Sequence, residues 1–343
     1  MNELLNKIIP GDCIAILNEV KEPFADLIFA DPPFNIGYKY DKYNDKKEKE
    51  HYLEWTRKWM AACFNVLKPT GSFYIAIGDD YAAQVKLIAE DELKLICRNW
   101  IIWHYSFGQQ TKNKFARSHT HIFYFVKNEK DFTFNDYVIR VLSERQKIYN
   151  DKRANPDGKM PDDVWDEYPR ICGTFDEREG WHPCQMPESI LARIIRASTK
   201  EEHWVLDPFN GSGTTTVVAH KLLRKYTGID ISKKYVAEAI KRIKNSSFAV
   251  EGEGIEWTES LNNELKWFYH ENKITTDDLI KSDELLKIFT IKFNHRVKKV
   301  FRPDDIAKQL EYLRKTAKLG PLGYSRKQNN EKEEPLFENG RSK

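Results

Sequence analysis

The fold of this chain is constrained most by an alternation of apolar strands, tight turns and helices between residues 203 and 243. An apolar strand over residues 203–206 leads into a turn with two glycines and an apolar helix, and a second strand over residues 226–230 leads into another helix. Parallel strands that follow each other along a chain need a crossover of this kind. The sequence therefore predicts an α/β fold, with helices on both faces of a mostly parallel sheet.

The turn after the first of these strands has the composition of a nucleoside-binding loop. Gly211 and Gly213 let the backbone approach a ligand, and the helix after them offers unpaired N–H groups. Asp230 ends the second strand, where its carboxylate can accept both hydroxyls of a ribose. A dinucleotide fingerprint needs a third glycine where Thr216 stands, so a nucleoside without a pyrophosphate fits better than a nicotinamide or flavin dinucleotide.

A second acidic turn follows an apolar strand predicted over residues 25–30, and it reads Asp31-Pro32-Pro33-Phe34. Carboxyl ends of strands form the ligand-binding edge of an open α/β sheet, and two prolines make the turn stiff and poor in backbone donors. Asp31 and a proline carbonyl can accept the two N–H groups of an amino group on a planar ring, while Phe34 stacks on that ring. The alternative is an ordinary turn at the end of a strand.

Asp12 lies at another corner between a strand and a helix, because residues 13–20 have helical spacing. Two roles are open for it: capping the helix, or contacting a ligand at the same edge as Asp31. Further along, a helix over residues 46–67 carries an aromatic stripe that we assign to the core, and a turn is predicted at residues 68–71. The remaining predicted elements of this half are strands over 72–77, 93–104 and 119–127 and a helix over 81–90.

The predicted loop over residues 105–118 is rich in amides, cations and aromatics, which reach base edges, stack on bases and neutralise phosphates. A solvated loop is the alternative. The residues predicted to recognise DNA are Gln109, Gln110, Lys112, Asn113, Lys114 and Arg117. From residue 128 to about 180 no long apolar period is present, so we predict a recognition insertion over about residues 105–180.

In their order along the chain, the two motifs resemble those of bacterial DNA amino-methyltransferases that use S-adenosylmethionine. In the permuted subgroup often called the β class, the tetrapeptide precedes the recognition region and the glycine loop closes the domain, as it does here. The resemblance also includes Gly11-Asp12, residues 68–72 and residues 182–187, and so covers most of residues 8–245. It implies a Rossmann-like methyltransferase sheet over residues 1–250.

The resemblance also implies a role for each matching residue. Asp31 and the carbonyl of Pro32 would clamp the amino group, Pro33 belongs to the same turn, and Phe34 would stack on the extruded base. The residues that would bind the cofactor are Asp12, His182, Gln185, Asp207, Phe209, Asn210, Gly211, Ser212, Gly213 and Asp230. Relatives often carry Thr and Lys where this chain has Cys184 and Met186, so contacts made by those side chains elsewhere are not transferred.

The implied reaction is transfer of a methyl group from S-adenosylmethionine to N6 of adenine in double-stranded DNA, after the base is flipped out. Asp at the first tetrapeptide position favours adenine, whereas cytosine enzymes more usually carry serine, and cytosine N4 is the alternative target. Protein glutamine methyltransferases place the glycine loop before the clamp, opposite to the order here. A more remote alternative is an inactive DNA-binding protein. A cognate restriction endonuclease is a candidate partner, and a monomer or homodimer is expected.

The composition is typical of a globular enzyme and argues against a disulfide-rich, a metal-binding or a membrane protein. The net charge of +3 argues neither for nor against a nucleic-acid partner. Five scattered cysteines form neither a disulfide framework nor a metal site, so no metal is expected. No apolar run has the length of a membrane span and the start lacks a signal peptide core, so we expect a cytoplasmic protein without a membrane partner.

Beyond residue 250 the pattern becomes helical without strands, with helices predicted over residues 277–289 and 303–319. Residues 292–327 contain eleven cations and three acids. We therefore predict a small basic helical extension over residues 251–325 that follows DNA phosphates, and a disordered tail over residues 326–343. A solvated helical face is the alternative for the basic run.

Overall fold

The protein is represented by a computed structural model, which describes residues 3–109, 112–147, 153–155, 158–173, 175, 177–246, 257–297, 299, 301–320 and 322. Within these residues the chain forms one sheet of eight strands. The strands are β1 (Lys7–Pro10), β2 (Ala25–Ala30), β3 (Leu67–Ile77), β4 (Ile96–Gln109), β5 (Arg117–Val126), β6 (Val164–Trp165), β7 (Trp204–Asp207) and β8 (Lys225–Asp230).

The helices lie between and after the strands, and a π-helical turn, Ile88–Glu92, continues the third of them. They are α1 (Cys13–Asn18), α2 (Lys49–Val66), α3 (Asp79–Leu87), α4 (Asp136–Ile139), α5 (Glu144–Lys147), α6 (Glu188–Ser198), α7 (Thr214–Lys221), α8 (Lys233–Asn245), α9 (Glu259–Asn272), α10 (Thr276–Lys281), α11 (Asp283–Val297) and α12 (Pro303–Lys315). No helix of the described part is long and apolar enough to span a membrane.

The order of strands in the sheet brings the two acidic turns together. The spatial order is β1-β8-β7-β2-β3-β5-β4-β6, and the first five strands run parallel. β7 and β2 are direct neighbours, with Leu27 opposite Val205 and Ile28 opposite Leu206. Asp31 and Asp207 therefore stand at the carboxyl ends of adjacent strands, and the predicted α/β fold is confirmed.

Two apolar cores cover the two faces of the sheet, as the alternation of side chains in a strand requires. In β2, which is buried along its whole length, Leu27 and Phe29 face the core under α6, α7 and α8. Ile28 and Ala30 face the other core, under α1, α2 and α3. The continuous apolar run of this strand was recognisable because both faces are covered.

Three predictions about connections are wrong. Residues 68–71 form no separate turn, because they make a bulge inside β3, which steps from Leu67 to Ser72 while β2 steps from Ala25 to Leu27. The loop predicted over residues 105–118 is largely a hairpin, since β4 extends to Gln109 and β5 starts at Arg117.

The region from residue 128 to 180 is not structureless either. It contains α4, α5 and β6, and β6 pairs in parallel with β4 at the edge of the sheet, Ile102 opposite Val164. A strand of two residues is too short to show a period in sequence. Its predicted role in recognition stays a prediction.

The helices α9 to α12 share a third apolar core that also includes Leu142. The helix predicted over residues 277–289 is interrupted at Ser282, which separates α10 from α11. The helix predicted over residues 303–319 ends at Lys315. The tail predicted over residues 326–343 lies outside the described residues.

A buried ion network joins these helices to α6. Three arginines meet three glutamates there, so the six charges balance. Arg296 contacts both oxygens of Glu271, at 2.5 and 3.2 Å, and one oxygen of Glu264 at 3.2 Å. Arg196 also pairs with Glu264, and Arg193 with Glu167 at 2.5 Å. These contacts explain why α6 is buried on all sides.

Candidate active site

A cavity of about 330 Å³ opens at the carboxyl edge of the sheet, a volume typical of small-molecule sites. Four neighbouring strands contribute to it, because β1, β8, β7 and β2 end at this edge. Asp31 and Pro33 line it on one side, and the turn after β7 lines it on the other. Two motifs far apart in sequence therefore meet in one cavity.

Most of the predicted site residues line this cavity. They are Asp12, Asp31, Pro33, His182, Asp207, Phe209, Asn210, Gly211, Ser212 and Asp230. Pro32, Phe34, Gly213 and Gln185 are not among its lining residues. Gln185 instead ties down its own loop, accepting from the backbone N–H of Glu179 at 2.8 Å and donating to the carbonyl of Glu177 at 2.5 Å.

The clamp turn is held from behind by the helices of the second core. The Tyr52 hydroxyl donates to the Pro33 carbonyl at 2.7 Å, so that carbonyl is already engaged. Among the described residues no hydrogen bond to the carbonyl of Pro32 is found, and Pro32 itself is buried beside the cavity. Phe34 packs next to β3, where a Cβ atom on Gly78 would lie 3.2 Å from the Phe34 ring.

The glycine loop is shaped by close packing on two sides. Gly211 has φ +45°, and a Cβ atom there would lie 3.0 Å from Nε2 of His182. Gly213 has φ +78°, and a Cβ atom there would lie 2.8 Å from the Cβ of Ala239 in α8. Any larger residue would have to displace the loop or the helix.

Asp230 and Asp12 each have a structural partner and still line the cavity. The two oxygens of Asp230 accept from the backbone N–H groups of Gly211 and Ser232, both at 2.8 Å. Asp12 caps α1 by accepting from Ile14 at 3.0 Å. The capping role is thereby confirmed, and the predicted ligand contact of Asp12 stays a prediction.

Asp31, which is half-buried, and Asp207, which is buried, have no neutralising cation among the described residues. Burial raises the pKa of Asp31 to about 7, and the nearby charge of Asp207 adds to the effect. Burial also raises the pKa of Asp207 to about 7, against hydrogen bonds from Thr215 and the Phe209 backbone. Raised carboxyl pKa values of this kind are common at functional sites, where a bound ligand supplies the interaction that the protein lacks.

The polar and aromatic segment over residues 35–44 has the composition of a loop that flanks a site, but the sequence does not predict which of its side chains form the cavity wall. Tyr40, Lys42, Tyr43 and Lys47 all line the cavity. The loop is fastened by one buried carboxylate, Asp45, which accepts from the backbone N–H groups of Asn35 at 2.7 Å, Ile36 at 3.2 Å and Tyr38 at 2.9 Å. An acid following a polar aromatic segment was the available signal.

The aromatic stripe of α2 is divided between core and cavity. Trp59 is completely buried, as expected, but Trp55 lines the cavity beside Phe209, with ring centroids 5.6 Å apart. The assignment of the whole stripe to the core is therefore wrong for Trp55. One turn of helix separates the two roles.

The segment before α6 contributes neutral groups to the cavity. Burial lowers the pKa of His182 to about 4, so its ring is uncharged near neutral pH. Burial, with a smaller effect from Asp31, raises the pKa of Cys184 to about 11, so its thiol stays protonated. Both Cys184 and Met186 line the cavity.

The residues predicted to recognise DNA lie at the end of the β4–β5 hairpin. Lys112, Asn113 and Lys114 are exposed there, Gln109 is the last residue of β4, and Gln110 lies outside the described residues. Arg117 instead forms ion pairs with Asp79 at 3.0 Å and Asp80 at 3.1 Å, which fasten the hairpin to α3.

Part of the basic run in the extension is neutralised internally. Besides the buried Arg296, three of its cations pair with carboxylates: Arg302 with Asp305, Arg314 with Asp277, and Lys315 with Glu311. The charge available to DNA is therefore smaller than the sequence count.

The cavity fits a nucleoside-bearing cation. Asn210 lines it, and its amide nitrogen is buried without a hydrogen-bond partner among the described residues. Asp230 presents a carboxylate suited to ribose hydroxyls, and Asp31 and Asp207 favour a positive charge. These are the features that S-adenosylmethionine, a sulfonium nucleoside, requires of a binding site. No cluster of His, Cys, Asp or Glu side chains that could hold a metal ion is found in the described part.

Comparison with known proteins agrees with this chemistry. A family model described as DNA methylase, N6_N4_Mtase, matches residues 25–241. The type II methyltransferase M.HpaI of Haemophilus parainfluenzae is 36% identical over 237 residues, which are 69% of this chain and 74% of the relative. The DNA adenine methyltransferase YhdJ of Escherichia coli (strain K12) is 37% identical over 248 residues, 70% of this chain and 83% of the relative.

Among solved structures, the PvuII DNA methyltransferase (cytosine-N4-specific) matches with a TM-score of 0.54. The match covers 71% of this chain and 87% of that chain at 19% sequence identity, so it supports the fold alone. The family match and the two relatives carry the assignment further. This chain belongs to the N6/N4 family of DNA methyltransferases, which take their methyl group from S-adenosylmethionine.

Proposed function

We propose that this enzyme methylates the exocyclic N6 of adenine in double-stranded DNA. The observation that carries the proposal is the shared cavity, in which the Asp31 turn faces the glycine loop across two adjacent strands. Adenine is favoured because aspartate opens the tetrapeptide, and because a relative 37% identical is named a DNA adenine methyltransferase. Cytosine N4 is the alternative, since its amino group offers the same two donors.

The residues around the glycine loop would hold the methyl donor. Asp230 would accept its ribose hydroxyls, Asp12 would contact its adenine, and the backbone around Gly211 would approach it closely. His182 would contact its methionine end as a neutral ring. When bound, S-adenosylmethionine supplies an electrophilic methyl group on a positively charged sulfur.

The clamp activates the nitrogen that receives the methyl group. An aromatic amino nitrogen is a weak nucleophile because its lone pair is delocalised into the ring. Hydrogen bonds from its two N–H groups to Asp31 and the Pro32 carbonyl favour a tetrahedral nitrogen with a localised lone pair. Because Tyr52 already occupies the Pro33 carbonyl, only the Pro32 carbonyl of this turn is left to act with Asp31.

Asp31 is also placed to receive the surplus proton. Methylation leaves the nitrogen with one proton too many, and a carboxylate whose pKa lies about 7 accepts protons near neutral pH and returns them to water. No covalent bond to the protein is needed, so catalysis rests on positioning and electrostatics. Phe34, which packs on Gly78, would offer a face for the flipped base to stack on.

A type II restriction endonuclease is proposed as a functional partner, because M.HpaI is named a type II methyltransferase. Such a partner would cut the same DNA sequence when it is unmethylated.

Mass spectrometry of nucleosides tests the proposed reaction. DNA without prior methylation is incubated with the enzyme and S-adenosylmethionine, then digested and analysed, with a reaction lacking the cofactor as control. We expect N6-methyldeoxyadenosine. N4-methyldeoxycytidine alone would overturn the adenine assignment, and neither product from a protein that binds S-adenosylmethionine would overturn the proposed activity.

A further inference from the structure

A single phenylalanine stands out at the tip of the β4–β5 hairpin. Phe115 is 97% exposed, the most exposed of the large apolar side chains in the described part of the chain. Residues 112–117, Lys-Asn-Lys-Phe-Ala-Arg, contain three cations and no acid. A lone exposed apolar residue is common on proteins, so its position decides whether it has a role.

The hairpin rises above the edge of the sheet that carries the active site. β5 pairs with β3 only as far as His121, opposite Ile77 at the carboxyl end of β3. It begins at Arg117, four residues earlier, so the hairpin overshoots that end by about 13 Å. Because β3 runs parallel to β2, this is also the end at which Asp31 follows β2.

The direction of the hairpin is fixed by its backbone. Between His104 and Gln109, β4 carries extra residues against β5, a bulge that bends a strand and redirects it. Gly108 lies in this bulge, and a Cβ atom there would be 1.6 Å from the carbonyl oxygen of Arg117. Only glycine allows the two strands to come so close.

The base of the hairpin is joined to the catalytic turn through few contacts. Arg117 pairs with Asp79 and Asp80 at the start of α3. Gly78, the residue before them, packs against the ring of Phe34. The hairpin is therefore set relative to the clamp, and its tip stands at the rim over which a DNA duplex must lie for a base to reach Asp31.

We propose that Phe115 is a wedge that enters the DNA base stack beside the target and fills the gap left when the base is flipped. This inference rests on the proposed function. Flipping a paired base costs a few kcal/mol and leaves a gap in the stack, and apolar side chains of DNA-bending proteins are known to insert between base steps. The cationic side chains of Lys112 and Lys114, close to Phe115 in sequence, suit the phosphates beside the gap.

The experiment compares Phe115→Ala with the unsubstituted enzyme on two duplexes built around a site mapped beforehand from methylated DNA. In one duplex the target is paired, and in the other it faces an abasic position, where the unpairing cost is already removed. We expect Phe115→Ala to methylate the paired duplex about tenfold more slowly and the unpaired duplex within about twofold of normal. Phe115→Trp should restore the rate on the paired duplex.

Two controls separate the wedge from general damage. Leu87→Ala, which removes another exposed apolar side chain at the far end of α3, should leave both rates and the melting temperature unchanged. Binding of S-adenosylmethionine should be the same in all variants. In a duplex with 2-aminopurine at an adenine target, Phe115→Ala should also reduce the fluorescence increase that reports flipping.

Equal rate losses on both duplexes, or no loss on the paired one, would overturn the wedge. If the unsubstituted enzyme methylates neither duplex although it binds S-adenosylmethionine, the proposed function fails and the wedge fails with it. The two failures are distinguishable because only the second affects the unsubstituted enzyme.

Discussion

Two regions of this protein bury carboxylates, and they treat them in opposite ways. At the cavity, Asp31 is half-buried and Asp207 is buried, neither is paired with a cation among the described residues, and burial raises the pKa of each to about 7. In the network behind α6, burial alone would raise the pKa of Glu271, but Arg296 and Arg193 outweigh it and the pKa is lowered. Both regions contain many charged groups, but only in the network behind α6 do the opposite charges balance within the protein.

The difference separates function from structure. A buried charge without a partner is costly, so a chain retains one where a ligand supplies the missing interaction. A balanced set of charges is neutralised within the protein and fixes how helices pack. In this protein, carboxylates without a neutralising partner at the edge of the sheet therefore mark the site better than the number of charged residues does.

The test of this contrast with the largest expected effect removes Asp31, a cavity carboxylate without a neutralising cation. We expect Asp31→Ala to reduce methyl transfer at least about a thousandfold, because the amino group loses its main acceptor. Binding of S-adenosylmethionine, measured by calorimetry, should stay within about threefold. Asp91→Ala, which changes an exposed carboxylate, is the matched control. Near-normal turnover in Asp31→Ala would remove the central assignment.

Removing one charge from the balanced network behind α6 should affect folding instead. Arg296→Met leaves Glu264 and Glu271 buried without this cation, so we expect a loss of about 3–5 kcal/mol in the free energy of unfolding. Arg302→Met removes an exposed pair with Asp305 and should change the free energy of unfolding far less, because solvent screens that pair. Urea denaturation measures both, and equal effects would contradict the structural role of the network.

Stability as a function of pH should run in opposite directions at the two regions. The folded pKa of Asp31 lies above its ordinary value, so this carboxyl destabilises the fold as pH rises from about 4 through about 7. Asp31→Asn should equal the unsubstituted enzyme near pH 4 and exceed it at pH 8 by about 1–2 kcal/mol, since Asp31 is only partly enclosed.

For Glu271, whose folded pKa is lowered, the sign is reversed. The disadvantage of Glu271→Gln should be greatest at neutral pH and shrink as pH falls through the acid range. Urea unfolding between about pH 2 and pH 8 measures both variants, because the effect of Glu271 changes only below its ordinary pKa of 4.5. Parallel pH profiles for the two substitutions would refute the comparison.

The smallest expected effect concerns the wall of the cavity. Asp45→Ala removes the acceptor for three backbone N–H groups and loosens the loop that carries Tyr40 and Tyr43. We expect the Kd for S-adenosylmethionine to rise about three- to tenfold, in line with about 1 kcal/mol for a hydrogen bond. The Kd of Asp45→Asn should lie between those of the unsubstituted enzyme and Asp45→Ala. An unchanged Kd in Asp45→Ala would show that the loop is not part of the site for S-adenosylmethionine.

The parts of the fold that sequence predicts well are those with local causes. β2 is a continuous apolar run because both its faces are covered, and the turn after β7 carries glycines because two positive φ angles and close neighbours require them. The cavity wall after the clamp could not be derived in the same way. Its shape depends on Asp45 reaching back to Asn35, which no period in the sequence records.

The uses of three polar side chains could not be derived from the sequence, for physical reasons. Gln185 stands between cavity residues in sequence, but its amide is used inside its own loop, and sequence adjacency does not fix where a side chain is spent. Arg193 and Arg196 resemble the solvent face of a helix, because a buried arginine paired with glutamate looks the same in sequence as an exposed one. Only the packing of α9 and α11 distinguishes them.

The network behind α6 also decides how this enzyme can be taken apart. Truncation after residue 250 would remove Glu264, Glu271 and Arg296 together and leave Arg196 without its carboxylate partner, so a shortened protein would report misfolding, whatever the extension does on DNA. For the same reason the extension is not an exchangeable cassette. A chimaera that grafts it onto a related catalytic part must transplant the arginines of α6 with it.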